Sequence, residues 1–229
     1  MTALPEPSSL SGHVERPWRW DVVGIDQLAT RVVALAGEAR PAVVAVNGHS
    51  SSGKTTLAGR LVEVLPDAAV LHTDDLARDE GAFAWDVPLR DEVLPLVRAG
   101  EPLDFPAPRW WQARGISGSV TLPGALAYLV VEGVGSSRDS VRNAYDVVIW
   151  VETDEPTRLA RDRRRLAVGE MATPGAYDGW MAEENAYTTR HRPWEQADLV
   201  VHGGGWLDHD PETQVVLRRD LVDPVASVS

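Results

Sequence analysis

The sequence predicts an α/β fold: a five-stranded, mainly parallel sheet with helices on both faces. Three observations carry that reading. Short apolar runs alternate along the chain with stretches of helical periodicity. A glycine-rich segment joins the first of these runs to a helix. Carboxylates stand at the ends of the next two runs, and parallel sheets bind their ligands beyond such strand ends. The 229 residues suffice for one such domain with decoration, and the 44% of hydrophobic residues suffices for its core.

Taken in order, residues 1–20 form a loosely held arm. Its first twelve positions are rich in Pro and Ser and lack the basic-then-apolar order of a secretion signal. Trp18 and Trp20 can pin the end of the arm to the body. A domain over residues 21–207 follows. Residues 25–39 carry Leu28, Val32 and Leu35 on one helical face. Residues 42–46 are a buried strand, and Leu57, Leu61, Val64 and Leu65 mark the helix that leaves the next loop. Residues 68–72 give a second strand. Residues 88–99 give a helix that opens on a proline and stops at Gly100. Over residues 101–123 periodicity breaks into a hairpin excursion outside the core, with Pro102, Pro106, Pro108 and the Trp110–Trp111 pair. Strands at 127–131 and 147–151, a helix from Pro156, a helix over 177–190 and a strand at 199–201 complete the alternation. Residues 208–229 are a tail in which 215–217 can form an edge strand.

Gly48, His49, Ser50, Ser51, Ser52, Gly53, Lys54 and Thr55 match the phosphate-binding pattern G-x-x-x-x-G-K-[ST] residue for residue. Glycines let the backbone wrap so that its N–H groups form a nest for phosphate oxygens. A strand before and a helix after are the required context, against the bland alternative of a glycine-rich surface turn. The fold class is therefore a P-loop NTPase using ATP and Mg²⁺, with Gly48, Ser50, Ser51, Ser52, Gly53, Lys54, Thr55 and Thr56 around the phosphates. Lys54 bridges the β and γ phosphates, and the Thr55 hydroxyl ligates the metal.

Transfer of a phosphoryl group to a hydroxyl needs metal, positive charge and a carboxylate to take the acceptor's proton. Asp74 is the candidate base and Asp75 the near alternative; either can instead cap the following turn. Glu132 ends an apolar strand and completes, with Thr55 and Asp74, the metal-orienting set. Arg158, Arg161, Arg163, Arg164 and Arg165 fall within eight residues of an otherwise acidic chain. Arg161 and Arg165 share a helix face and serve as charge stabilisers in a lid region over 158–176. The alternative is a solvated face paired with Asp162 and Glu170. His49 needs no role, and His72 is a structural hydrogen-bonder.

A net charge of −12 argues against a nucleic-acid partner, and no stretch approaches a membrane span, so a cytoplasmic location is expected. Without cysteine there are no disulfides or thiolate sites. No N-K-x-D guanine reader, ABC signature or G-x-S-x-G elbow occurs.

In order over residues 43–203, these motifs resemble the uridine kinase-like branch of P-loop kinases, near uridine kinase, phosphoribulokinase and bacterial pantothenate kinase. The likeness is strongest to the uridine kinase-like proteins of high-GC bacteria. It rests on Val46-Asn47-Gly48 through Thr56, Thr73-Asp74-Asp75-Leu76, Trp85-Asp86-Val87-Pro88-Leu89-Arg90, Val131-Glu132-Gly133-Val134 and Arg158-Leu159-Ala160-Arg161 with Arg165. Trp180-Met181 with Glu183 or Glu184, and the segment 197–201, match the closing part. The resemblance implies that Asp74 is the base and that Asp86 holds acceptor hydroxyls. It departs at Leu76-Ala77, at Arg109-Trp110-Trp111 and at Arg165-Leu166. Arg109 and Trp110 thus join Asp74 and Asp86 as acceptor-binding candidates, with Trp110 and Trp111 either stacking on an acceptor ring or packing on the core. A small-molecule hydroxyl acceptor is implied, a nucleoside such as uridine or another small alcohol; a homo-oligomer is compatible with this. The alternative function is an ATP-binding regulatory module without transfer.

Overall fold

A computed structural model describes residues 18–77, 83–108, 110–111, 115–169, 174–205 and 207–219. Strand β2 (Ala42–Gly48) lies at its centre with all seven residues buried. Its alternating side chains feed two cores. Ala42, Val44 and Val46 face one, which includes Leu28, Leu57 and Leu61, while Val43 and Ala45 face the other, with Leu89, Val93 and Leu129. Strands β3 (Ala68–His72), β6 (Tyr128–Glu132), β7 (Val147–Glu152) and β8 (Leu199–His202) pair in parallel with it or with one another. These are the five parallel strands expected.

Strand β9 (Gln214–Arg218) runs antiparallel to β8, and β1 (Trp20–Gly24) runs antiparallel to β9. Among the described residues the sheet therefore has seven strands, in the order β1-β9-β8-β7-β2-β6-β3. The sheet thus continues past residue 207, and 215–217 lie in an inner strand, with 20–24 as the edge. Edge strand β1 is half-buried throughout, with Val22 exposed, so its sequence carries almost no apolar alternation. Positions 1–17 of the N-terminal arm lie outside the described residues.

Helix α1 (Ile25–Ala36) stops at Gly37, whose φ of +59° ends the helix three residues before the expected bound. Leu35 points to solvent, and Ala29 and Ala36 join Leu28 and Val32 on the buried face. Helix α2 (Lys54–Val64) follows the glycine-rich loop, and a single turn, α3 (Thr73–Leu76), follows β3. Residues Asp86–Pro88, a π-helical turn Leu89–Val93 and Leu94–Arg98 run on as α4. The wide turn ends two residues before Pro95, which has no N–H to donate back along the helix. Strands β4 (Leu103–Pro106) and β5 (Ser119–Leu122) form the expected hairpin. It is not peripheral to the core: Leu103, Phe105, Val120 and Leu122 are buried in the second core. Asp154 caps α5 (Glu155–Ala167) by accepting from Thr157 N at 2.9 Å, and α6 is Pro174–His191.

Candidate active site

Sheet register assembles the site. Val46, Glu132 and His72 are abreast on β2, β6 and β3, so the phosphate-loop motif and two acidic strand ends leave the sheet side by side. Gly133 tightens the junction. A Cβ there would lie 1.8 Å from Thr73 Oγ1, so only glycine lets β6 end this close to α3.

The loop itself follows from its glycines. Gly48 has Val151 O 2.7 Å from where its Cβ would be, and Gly53 opens α2 with φ +101°. The first helical bond of α2 runs from Leu57 N to Gly53 O, so the N–H groups of Lys54, Thr55 and Thr56 precede the ladder and are available to an anion. Lys54 is buried and donates from Nζ to His49 O at 2.7 Å. Thr55 Oγ1 donates to Glu132 Oε1 at 3.1 Å.

These groups line a cleft of about 1720 Å³ together with Asp74, Trp110, Arg161 and Arg165. Burial lowers the pKa of Lys54, although Glu132, Glu184 and Asp74 pull the other way. Asp74 opens to the cleft, yet surrounding protein and the Glu132 charge raise its pKa against the pull of Lys54. For Glu132 burial works upward, but the hydrogen bond with His72 Nδ1 (2.5 Å) and the Lys54 charge hold its pKa below the usual range. The same contact raises His72 above an ordinary imidazole.

Helix α5 and the loop are tied together. Arg161 donates from Nη1 to Ser51 O at 3.0 Å and from Nη2 to Gly203 O at 2.8 Å, and Arg165 Nη1 reaches Ser51 Oγ at 3.2 Å. Buried Asp162 accepts from Ser51 Oγ at 2.6 Å and from Tyr177 OH at 2.8 Å. It therefore faces the loop rather than pairing along a solvated helix face; Glu170 lies outside the described residues.

Sequence reasoning misses the network beneath the loop. Fully buried Glu184 on α6 accepts from His49 Nδ1 at 2.6 Å and from Ser50 N at 3.0 Å, with Arg158 Nη1 at 3.7 Å. Burial lowers the pKa of His49 and leaves it neutral. Glu184, despite its own burial, is held ionised by the His49 hydrogen bond. His49 is thus a structural partner, where the sequence alone predicts no role for it. Asn47 is equally hidden: its Oδ1 accepts from Gly48 N and Gly135 N, and its Nδ2 donates to Ser137 and Tyr187. No local spacing announces the contacts of Asn47 with Gly135, Ser137 and Tyr187, which span 88 to 140 positions.

On the acceptor side, the structure brings Asp74 and Trp110 to the cleft, with the Trp110 ring 36% exposed. Asp86 is not among the cleft-lining residues. Its Oδ2 accepts from Ser140 Oγ at 2.7 Å and lies 3.3 Å from Arg138 Nη1. Arg109 lies outside the described residues.

No family model matches the chain. A uridine kinase of Deinococcus deserti is 30% identical over 158 residues, 61% of this chain and 75% of the relative. A uridine kinase of Borreliella burgdorferi is 24% identical over 188 residues, 72% and 88% of the two chains. Among solved structures, a possible uridine kinase from Bacillus stearothermophilus superposes with a TM-score of 0.56 at 23% identity, covering 77% of this chain and 96% of that one. A D-glycerate 3-kinase from Cryptococcus neoformans superposes with a TM-score of 0.50 at 14% identity, covering 72% and 87%. The two structures bear on the fold alone, which they share. No helix among the described residues is long and apolar enough to cross a membrane. With its phosphate loop set in that fold and a relative of this identity covered over three quarters of its length, the chain belongs to the uridine kinase-like P-loop kinases, phosphotransferases that act on small molecules.

Proposed function

We propose that the protein transfers the γ-phosphate of Mg·ATP to a hydroxyl of a small molecule, with a nucleoside such as uridine as the first acceptor to test. The observation that carries this reading is one cleft lined both by Lys54 and Thr55 of the glycine-rich loop and by Asp74 and Glu132 from the neighbouring strand ends. The backbone of Gly48 to Gly53, with Ser50, Ser51, Ser52 and Thr56, cradles the phosphates, and Lys54 neutralises the oxygens between the β and γ positions. Asp74 takes the proton of the acceptor hydroxyl as that oxygen bonds to the γ-phosphorus. The bond to the bridging oxygen breaks and ADP leaves. Its raised pKa makes Asp74 a better proton acceptor than an ordinary carboxylate.

The residues present fit a magnesium ion. Thr55 Oγ1 and the ionised Glu132 carboxylate stand side by side, with Asp74 lining the same cleft, and all are hard oxygen donors. Bound there, Mg²⁺ would offset the charge of the β and γ phosphates. Arg165 supplies positive charge from the lid, and Arg161 holds the loop and the segment after β8 at a fixed spacing. Trp110 offers its ring to the acceptor, while the Asp86 carboxylate is held by Ser140 and Arg138.

The test is acceptor-dependent ADP release with ATP, Mg²⁺ and a panel of nucleosides and small alcohols. Release above the acceptor-free rate is expected for at least one of them. Tight ATP binding with no acceptor dependence across the panel would point instead to a nucleotide-binding module.

A further inference from the structure

We propose that Trp111 and Asp75 form a positioning pair that fixes the acidic turn at the end of β3, leaving Asp74 alone to face the reacting hydroxyl. The proposal rests on the phosphotransfer reading above and separates the two acids that the sequence leaves as alternatives. Trp111 Nε1 donates to Asp75 Oδ1 at 2.9 Å, and Trp110 Nε1 donates to the Asp74 carbonyl oxygen at 3.0 Å. Consecutive indoles of the hairpin therefore grip consecutive residues of α3. Their rings meet edge to face at 6.1 Å, so one cannot shift without the other.

The turn needs this support. A four-residue helix cannot stabilise itself, and α3 has no side-chain cap. The Asp74 carbonyl lies too near its end to find a donor within the helix, so an indole supplies one. Asp75 is buried and absent from the cleft lining, where Asp74 is present. Trp111, partly buried, packs against the second core. A buried carboxylate stripped of its donor would pull the turn toward water. The hairpin thereby acquires a task besides framing the acceptor: it sets where the base stands.

The experiment uses four variants of the full chain, with uridine as acceptor probe and Mg·ATP. Trp111→Phe keeps a ring and removes the donor, Asp75→Ala removes the acceptor, Asp75→Asn keeps a carbonyl that can accept, and the fourth combines Trp111→Phe with Asp75→Ala. Expected are an about tenfold fall in kcat for each of the first two with ATP affinity unchanged, rescue by Asp75→Asn, and a double variant no worse than either single. Abolished transfer in Asp75→Asn, or additive losses, would overturn the proposal. An activity-independent arm follows the Trp111 indole N–H by NMR. Slow hydrogen exchange that is lost in Asp75→Ala is expected, and an unmoved resonance overturns the pairing. If that resonance behaves as expected while no acceptor yields ADP with the unaltered protein, the phosphotransfer reading fails and the pairing stands.

Discussion

The two walls that the proposed reaction assigns to the cleft, one for the phosphates and one for the acceptor, are built by different rules. The phosphate wall is one continuous segment, residues 48–56, whose conformation follows from two glycines and a helix start. It is then locked from beneath by Glu184, Asp162 and Arg161. The acceptor wall has no such segment. Asp74 comes from a single helical turn, Glu132 from another strand, and Trp110 and Trp111 from a hairpin 36 positions from the residues they hold. A backbone nest is set by local geometry and tolerates little change. A wall assembled from distant pieces can change its contacts while the fold stays the same.

The largest expected effect falls on the phosphate wall. Lys54→Ala should lower transfer by about 10²–10³-fold, because the lost charge acts where phosphate charge develops. Steady-state kinetics checks this, and a loss under tenfold would remove Lys54 from the reacting centre. Next comes Glu184→Leu, which leaves His49 and the Ser50 N–H unpaired in the interior and should cost about 3–5 kcal/mol of stability by denaturant unfolding. A weaker ATP affinity should accompany that cost, whereas acceptor KM should move no more than ATP affinity does.

The acceptor wall should give the opposite split. Trp110→Ala should raise the acceptor KM by about tenfold, the worth of one ring contact, with ATP affinity unchanged. A change confined to ATP affinity would move Trp110 to the other wall. Asp74 must be ionised to take a proton, and its pKa is raised by burial and by Glu132. Activity should therefore be full above that pKa and fall about tenfold per pH unit below it, with the acidic limb of kcat/KM above the ordinary carboxylate range. Smallest is Asp154→Ala at the start of α5. Loss of the Thr157 cap should cost about 1 kcal/mol in thermal unfolding and leave both KM values as they are.

What the sequence discloses follows the same division. The five parallel strands are legible as continuous apolar runs such as Ala42–Val46, written by burial on both faces in four of them and kept in the half-buried edge strand β3. Strand β1 is hidden because its residues are only half-buried, and β9 because three buried residues, Val215 to Leu217, are too short a signal to place inside a sheet. The phosphate loop is legible in full, being a local motif. The role of His49 is not, since its partner Glu184 lies 135 positions away and nothing in the loop marks it. The sequence puts Asp74 ahead of Asp75 without separating them; in the structure Asp74 lines the cleft, while Asp75 is buried and bound by the Trp111 indole. The expected role of Asp86 depends on a shared motif, and no local signal in the sequence announces that its Oδ2 meets Ser140 and Arg138.

Whether the two walls meet in a transfer reaction is decided by Asp74→Asn. The amide keeps the shape of the turn and the bond from Trp110 to the backbone but cannot accept the proton. Calorimetric ATP binding and acceptor-dependent ADP release would be measured on the same preparation. The expected result is ATP affinity within about twofold of the unaltered protein, with transfer reduced by about 10²–10⁴-fold. Transfer at the unaltered rate would contradict the assignment of Asp74 as the base.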